Sequence, residues 1–396
     1  MAMSTMRTKG GAWTVRAVVS VAAQGRERYG RSRFGMALVI AAVLALLPRV
    51  ARAEPPAMKE REGHPRLQVR SHDDRFSLAL GGYLQARYTA SARGDEVEQS
   101  EFTAPRTRLY FFGHVHSRDV RYRLTFGTLA GAQQVRVVEA YVEYRIADAL
   151  RLRAGRYKIP VMREWVESAN YLASVERSTI VQMLLPGRDY GLMANGEIGD
   201  LEYTAGVFNG AGGLAVRDSN LAPALAGRVL WNFHHLPIDG EVDFEDSAPR
   251  FSLGVSAMTT SRPFSNDANA AEPVVTPHLR ESLGGVDFAL RARGFDLTAE
   301  AMARQRSFDG GGRDRIIGGY IRGDKYLPAL KSVIGVRTVR IHGLDDANVS
   351  RTELELDAGF FPAEHDLKLI VNVGRALLHS SRRWHTILMV QVQAGF

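Results

Sequence analysis

Apolar and polar residues alternate in short segments from about residue 76 to the last residue of this chain. In the final segment, Leu388 and Val390 fall on one face of a strand, whereas Gln391 and Gln393 fall on the other. Successive side chains of a strand point to opposite faces of its sheet, so a period of two residues indicates strands rather than helices. The pattern therefore predicts an all-β chain whose strands are apolar on one face and polar on the other.

The alternation predicts about sixteen strands. They cover residues 76–89, 102–114, 120–127, 135–146, 149–157, 189–198, 201–208, 223–233, 251–259, 281–292, 295–306, 315–323, 331–341, 351–361, 366–377 and 383–396. The pattern is weakest near residues 315–341, so fourteen and eighteen strands are the alternative counts.

The first predicted strand is long enough to cross a membrane. Phe76 and Tyr88, both on its apolar face, are separated by roughly 40 Å of strand at about 3.3 Å per residue. Tilted by about 45°, this strand spans on the order of 28 Å, which is the height of a lipid-facing band between aromatic girdles. The alternative, a soluble β-sandwich, would carry polar residues on its outward faces, whereas one face of nearly every strand here is apolar through its middle. We therefore predict a transmembrane antiparallel β-barrel.

An export signal precedes the strands. Residues 36–47 form an apolar run behind an Arg-rich stretch, and an Ala-Arg-Ala cleavage site follows at residues 51–53. The run is shorter than the roughly 17–25 residues that a membrane-spanning helix needs. We expect residues 1–53 to be a cleaved signal peptide with an upstream extension, residues 54–75 a short periplasmic leader, and residues 76–396 a barrel domain in the outer membrane of a Gram-negative bacterium.

The formal net charge of +8 belongs to the predicted signal segment. Nine of the 51 basic and one of the 43 acidic residues lie in residues 1–53, which leaves 42 of each in the predicted exported chain. This balance gives no reason to expect nucleic-acid binding. The chain has no cysteine, so it has neither disulfides nor a thiolate metal site, and we expect no cofactor.

The predicted connections alternate between long and short. Residues 90–101 are predicted to form a long connection, the next turns are short or moderate, and residues 158–188 form a very long one before a two-residue turn at 199–200. Long loops at one end and tight turns at the other are typical of outer-membrane barrels. The connection 234–249 is longer than its predicted side suggests.

Several local sequences form a recognisable series: 82–85 (GYLQ), the strand with Arg106 and Arg108, 139–144 (EAYVEY), 155–160 (GRYKIP), 175–178 (VERS), 186–191 (PGRDYG) and 207–210 (VFNG). They resemble the phosphate-selective porin O and P family of sixteen-stranded outer-membrane channels. Their order and spacing fit the family over about residues 80–210, and beyond that the resemblance lies in the strand pattern and the terminal Phe396. The resemblance implies a homotrimeric porin whose third external loop, here residues 158–188, folds inward and narrows the channel.

The presumed inward faces and the long loop carry a set of charged residues. The predicted pore-lining and constriction residues are Arg106, Arg108, Arg121, Arg123, Glu139, Glu143, Arg151, Arg153, Lys158, Arg163 and Arg188. Guanidinium groups suit phosphate because they present a planar fork of donors. We therefore expect small hydrophilic solutes to pass, with a preference for anions such as phosphate, although this chain has one lysine in the region where selective family members use several.

Carboxylates on the predicted opposite wall support a different selectivity. Asp287, Asp296, Glu300, Glu353, Glu355 and Asp357 fall on presumed inner faces. A basic wall that faces an acidic wall would give the transverse field of a general, non-selective porin. The alternative is that these charges pair locally and keep the lumen wet.

No catalytic or metal site stands out, so we expect a passive channel surrounded by lipid and not an enzyme. Two other interpretations remain: an outer-membrane hydrolase with a Ser/His pair assembled in space, and a structural or adhesive barrel with a plugged lumen.

Overall fold

The computed structural model describes residues 67–128, 134–210, 223–236, 240–245, 247–263 and 278–396. The predicted signal peptide (1–53) and most of the predicted leader (54–75) lie outside the described residues. Among the described residues, no helix is both long and apolar enough to cross a membrane.

Of the seventeen strands among the described residues, sixteen close into an antiparallel barrel, as the alternation predicted. The strands are β1 (Leu67–Arg70), β2 (Phe76–Arg93), β3 (Glu96–Val115), β4 (Ser117–Thr128), β5 (Val135–Ala147), β6 (Leu150–Lys158), β7 (Arg188–Ile198), β8 (Leu201–Phe208), β9 (Ala224–Phe233), β10 (Arg250–Pro263), β11 (His278–Ala292), β12 (Phe295–Phe308), β13 (Arg313–Leu327), β14 (Ser332–Gly343), β15 (Arg351–Ala363), β16 (Leu367–Leu378) and β17 (Arg383–Gly395). Each of β2–β17 pairs with its neighbours along the chain, and β17 pairs with β2 to close the ring.

The short strand β1 is additional to the sixteen. It pairs with residues Ser77 to Leu80 of β2, beyond the point where the β17 pairing ends at Tyr83 and Gly395. It lies within the stretch that the sequence assigned to the leader, so four residues of that stretch are part of the sheet.

The two faces of the strands divide as the pattern predicted. On β17, Gln391 is 2% exposed inside the barrel and Val392 is 47% exposed outside it. On β2, Gln85 is buried while Leu84 is exposed. Large apolar residues are exposed around the outer surface on most of the barrel strands, which is favourable where that surface meets lipid.

Connection lengths agree with the expected alternation except at two places. We call the end of the barrel that holds Phe76 and Gly395 the near end and the opposite end the far end. The first far-end connection is a two-residue turn at 94–95 and not a long loop over 90–101, because β2 and β3 both extend to meet there. At the near end, connections have one to four residues except 234–249. Part of this connection turns back into the barrel.

The core of the molecule lies inside the barrel. The connection 159–187 folds into the lumen and holds two short helices, α1 (Arg163–Val166) and α2 (Thr179–Leu184), and 3₁₀ turns lie at Pro328–Leu330 and Ala347–Val349 in other connections. Met162, Ile180 and Leu184 pack in one buried cluster with wall residues of several strands. A second cluster joins Ala173 and Val175 of the same connection to Val242 of the near-end connection and to wall residues. The inward-folded loop is therefore a packed structural element.

Candidate functional site

The loop 159–187, which we call the constriction loop, leaves and rejoins the wall at one point. The backbone N–H of Ile159 donates to the carbonyl of Gly187 at 3.1 Å, so the two ends of the loop, which we call its neck, are held together. Gly187 has a φ of 81°, a conformation that glycine adopts without steric cost. The chain between them is free to reach across the lumen.

The first residues of α1 bind to the barrel wall opposite the neck of the loop. The N–H groups of Arg163 and Glu164 donate to the two carboxylate oxygens of Glu300 on β12, at 2.7 and 3.2 Å. The first N–H groups of a helix have no partner within the helix. Glu300 therefore caps α1 from across the barrel.

Side chains of the same helix extend this attachment. Arg163 donates through Nε to Asp287 on β11 at 2.8 Å, and Glu164 accepts from Arg337 on β14 at 3.1 Å and from the backbone of Ser178. Burial raises the pKa of the Glu164 carboxyl, because desolvation outweighs the attraction of Arg337. The contacts attach the constriction loop to the wall opposite its neck.

The predicted acidic wall is thereby paired locally. Asp287 contacts both Arg163 and Arg228, and Glu355 contacts Arg337 at 2.6 Å. Of the remaining members, Asp296 pairs with Arg291, Glu353 lies 3.9 Å from Arg351, and Asp357 lies 3.8 Å from Arg322 and accepts from Ser174. Of the two sequence alternatives for these charges, the structure therefore favours local pairing over an open transverse field.

The other side of the constriction loop faces the basic wall. Glu176 bridges Arg87 on β2 at 2.7 Å and Arg106 on β3 at 2.5 Å. Burial would raise the pKa of Glu176, but Arg106 and Arg87 outweigh it and lower the pKa to about 2. This carboxylate therefore stays ionised at any pH near neutrality.

Trp165 forms the centre of a group of cations. The charged groups of Lys158, Arg177 and Arg188 lie 5.5, 5.4 and 5.3 Å from its ring. Cations near an indole face are attracted by its quadrupole. Lys158 also donates to the carbonyls of Val166 and Glu167 at 2.9 and 2.7 Å. The loop is therefore held near its neck by Arg177 and by the cations of the two flanking strands, Lys158 and Arg188.

Two further arginines, Arg108 and Arg123, lie beside this group. Arg188 pairs with Glu139 at 2.8 Å, and Arg123 lies 3.8 Å from the same carboxylate. Arg108 donates to the backbone carbonyls of Thr107 and Thr128. We call the following residues the basic cluster: Arg106, Arg108, Arg123, Lys158, Arg177 and Arg188. Glu139 and Glu176 are two carboxylates that pair with its members, and the six cations of the cluster outnumber them.

The structure brings together six of the eleven predicted site residues near the two ends of the constriction loop. These six are Arg106, Arg108, Arg123, Glu139, Lys158 and Arg188. The other five lie elsewhere: Arg153 pairs with Glu143 and Arg151 with Glu197 on the wall between β5 and β7, Arg121 is level with His114 near the near end, and Arg163 contacts the opposite wall.

Sequence reasoning did not place Arg87 and Glu176 at the site. The signals for them were present, since Arg87 shares the polar face of Gln85 and Glu176 belongs to the motif 175–178. Their pairing depends on the inward fold of the loop.

Two of the cavities inside the described part of the barrel border the constriction loop. A cavity of about 1030 Å³ on the far side is lined by six arginines, including Arg87 and Arg177, and by four glutamates. A cavity of about 70 Å³ on the near side is lined by Tyr83, Tyr110 and Arg123, among others. Both cavities border β2 and β3, and the basic cluster lies between them.

A Ser/His pair also occurs in the structure. Ser77 Oγ and His114 Nδ1 are 2.7 Å apart, and His114 Nε2 lies 2.9 Å from the carbonyl oxygen of Asp74. However, Ser77 is 3% exposed, its hydroxyl accepts from the backbone N–H of His114, and neither residue lines either cavity. The pair fastens the near ends of β2 and β3.

Comparisons with known proteins agree with the barrel fold. The family model of the phosphate-selective porins O and P matches residues 79–319, well past the stretch in which the sequence motifs were found. No curated protein matches this chain.

Solved porin-like barrels have the same fold. An anion-selective porin from Comamonas acidovorans has a TM-score of 0.55 at 11% identity, over 81% of this chain and 99% of the porin. The trimer form of OmpT, an outer membrane protein of Vibrio cholerae, has a TM-score of 0.57 at 10% identity over 81% and 99% of the two chains. The outer membrane channel DcaP of Acinetobacter baumannii has a TM-score of 0.53 at 12% identity over 83% and 99%.

Proposed function

Since this chain belongs to the phosphate-selective porin O and P family of outer-membrane porins, we propose that it is a passive diffusion channel that prefers small anions, with phosphate among them. Small hydrophilic solutes enter the lumen, pass the constriction loop beside the basic wall and leave at the other end. Selectivity arises where the lumen is narrow, because charges that line a constriction act on a solute at close range.

One observation carries the proposal: members of the basic cluster line the cavities, whereas Asp287 and Glu300 of the acidic wall are covered by the constriction loop. Asp287 and Glu300 are 5% and 4% exposed, and their oxygens are occupied by the constriction loop and by Arg228. Arg123 lines the near cavity, and Arg177 lines the far cavity. A solute beside the loop therefore meets an excess of positive charge.

The long-range net charge of the chain has little influence on this preference. At about 0.1 M salt, charges are screened over roughly 10 Å. The local imbalance at the constriction therefore decides the selectivity, even though the predicted exported chain is formally neutral.

The biological setting forms part of the proposal. We place the near end in the periplasm, because strand turns of outer-membrane barrels are short on that side, and the far end outside the cell. We also propose a homotrimer, which the family membership and the trimer form of the OmpT barrel support. Export depends on the predicted signal peptide.

The reversal potential of the reconstituted protein in a salt gradient tests the proposal. The wild-type channel is expected to prefer anions, and Arg108→Gln with Arg123→Gln is expected to shift the reversal potential toward cations. Arg315→Gln is the matched control, because Arg315 forms an exposed pair with Asp345 in a far-end connection. A wild-type channel that prefers cations, or a double variant that shifts nothing, contradicts the proposal.

Phosphate is tested in the same bilayer. If phosphate occupies the basic cluster, adding it should reduce the chloride current of the wild-type channel more than that of the double variant. An equal effect on both would mean an anion preference without phosphate recognition at the cluster.

A further inference from the structure

Residues 240–245 of the near-end connection 234–249 lie in the lumen instead of crossing the barrel mouth as part of a simple turn. Leu236, Glu241 and Val242 are 1%, 5% and 2% exposed. A connection of this length on the side of the short turns needs a physical reason. The reason lies in what residues 240–245 contact.

Both ends of the inserted segment are fastened to the wall. The side chain of Asn232 accepts from the backbone N–H of Leu236 at 2.7 Å and donates to its carbonyl at 3.1 Å. The carboxylate of Asp243 accepts from the backbone N–H groups of Gly294 at 2.7 Å and Ser247 at 3.0 Å. The segment therefore has a defined position in the lumen.

The segment bonds directly to the constriction loop. Gly240 N–H donates to Glu167 Oε1 at 2.6 Å, and Glu241 N–H donates to the carbonyl of Tyr171 at 3.2 Å. In return, the N–H of Ala173 donates to Glu241 Oε2 at 2.7 Å. Three hydrogen bonds therefore join the two segments along residues 167–173.

Charge and apolar packing strengthen the junction. Glu241 Oε2 lies 3.2 Å from Arg322 on β13, which is 1% exposed and fully enclosed by protein. Val242 packs in the same buried cluster as Ala173 and Val175. Since a buried carboxylate is costly unless it is paired and hydrogen-bonded, the position of Glu241 is set by both Arg322 and the loop.

We propose that residues 240–245 form a strut that holds residues 167–175 of the constriction loop from the near end, and that Glu241 is its positioning residue. The helix α1 is attached to the wall opposite the neck by Glu300 and Asp287, but those contacts end at Glu164. Residues 167–175 are held by the strut and by the wall, where Lys368 on β16 donates to the carbonyls of Asn170 and Leu172, Gln393 on β17 donates to that of Asn170, and Asp357 on β15 accepts from Ser174. The strut therefore sets the near-side boundary of the channel.

This inference rests on the proposed function only in assuming an open channel. It concerns the size and steadiness of the current, whereas the anion preference is measured by the reversal potential, so the two can fail separately.

Glu241→Ala tests the strut. Loss of the carboxylate removes the bond to Ala173 and the pairing with Arg322, so we expect a higher single-channel conductance and more open-channel noise. Glu197→Ala is the matched control, because Glu197 is a lumen carboxylate paired with Arg151. Asp243→Ala, which loosens the segment without changing Glu241, should reproduce the effect.

A reversible cross-link separates positioning from charge. The chain has no cysteine, and a backbone hydrogen bond from Glu241 to Tyr171 brings these two residues together, so Tyr171→Cys with Glu241→Cys can be locked and released once the oxidised protein is shown to carry the disulfide. When reduced, this variant should behave like Glu241→Ala, and when oxidised it should recover the wild-type conductance although it lacks the carboxylate. Equal conductance in both redox states, or an unchanged conductance in folded Glu241→Ala, would overturn the proposal.

Discussion

Arg337 on β14 and Glu164 on the constriction loop meet inside the barrel, with Nη1 and Oε1 3.1 Å apart and both side chains 1% exposed. The same guanidinium reaches Glu355 on β15 at 2.6 Å and the carbonyl of Glu176 at 3.0 Å. A guanidinium can serve three acceptors at once because its five donors are fixed in one plane. Arg337 therefore links the wall to both halves of the loop.

Replacing Arg337 by Gln should detach the constriction loop. Removal of one partner of a buried ion pair costs on the order of 3–5 kcal/mol, because the other charge stays buried without compensation. Here two carboxylates lose their partner, and we expect the loop to leave the wall while the strands stay paired. Single-channel recordings should show a larger and noisier current. Glu164→Gln added to Arg337→Gln should restore part of the wild-type behaviour, and no restoration would mean that the two residues do not act as a pair.

Deletion of residues 165–184 should raise the conductance of a correctly assembled barrel. The reason is that these residues fill the lumen between the basic cluster and the wall of β10–β15. The deletion should be made together with Arg87→Gln and Arg106→Gln, because it removes Glu176, the carboxylate that pairs with both arginines. Heat-modifiable migration on a gel checks the fold. A folded deletion variant with the conductance of the wild type would place the loop outside the conducting path.

Leu356→Arg should destabilise the barrel by about 2–4 kcal/mol, the cost of a cation on the lipid face near the membrane midplane. Leu356 is 55% exposed on the outer surface of β15. The comparison is Thr89→Arg on the inner face of β2, where the far cavity offers room. Equilibrium unfolding in lipid or detergent measures both. Equal losses at the two positions would contradict the assignment of the faces.

The ion pairs of Glu176 with Arg87 and Arg106 should persist in the folded channel above about pH 3. The pKa of Glu176 is lowered from 4.5 to about 2, so its ion pairs contribute stability that is fully present above pH 4.5 and is lost as the pH falls through 2. Wild-type conductance should therefore change little between pH 7 and pH 4 on account of this residue. Glu176→Gln at pH 7 should show a stronger anion preference, because Arg87 and Arg106 lose a neutralising partner. A variant with an unchanged reversal potential would place Glu176 outside the conducting path.

The local pattern was sufficient to predict sixteen strands and their two faces. Each strand of a barrel has lipid on one side and lumen on the other, so burial alternates residue by residue, and residues such as Gln391 and Val392 show it without knowledge of any distant contact. The motifs of the first half likewise located the constriction loop. The failure at residues 90–101 has a local cause, because the sequence there does not distinguish a long loop from strands that continue to a two-residue turn at 94–95.

The pattern of residues did not determine which lumen charges pair with one another and which can act on a solute. Arg163 and Arg188 were equivalent as loop arginines, yet one binds Asp287, 124 positions away in the chain, and the other binds Glu139 beside the basic wall. The strut at residues 240–245 appeared in the sequence only as a connection of unexpected length. Such pairings arise when the barrel closes and encloses two folded segments, and a single strand carries no information about its partner across the lumen. The period of two residues therefore determined the barrel, whereas the tertiary structure decided the charge of its constriction.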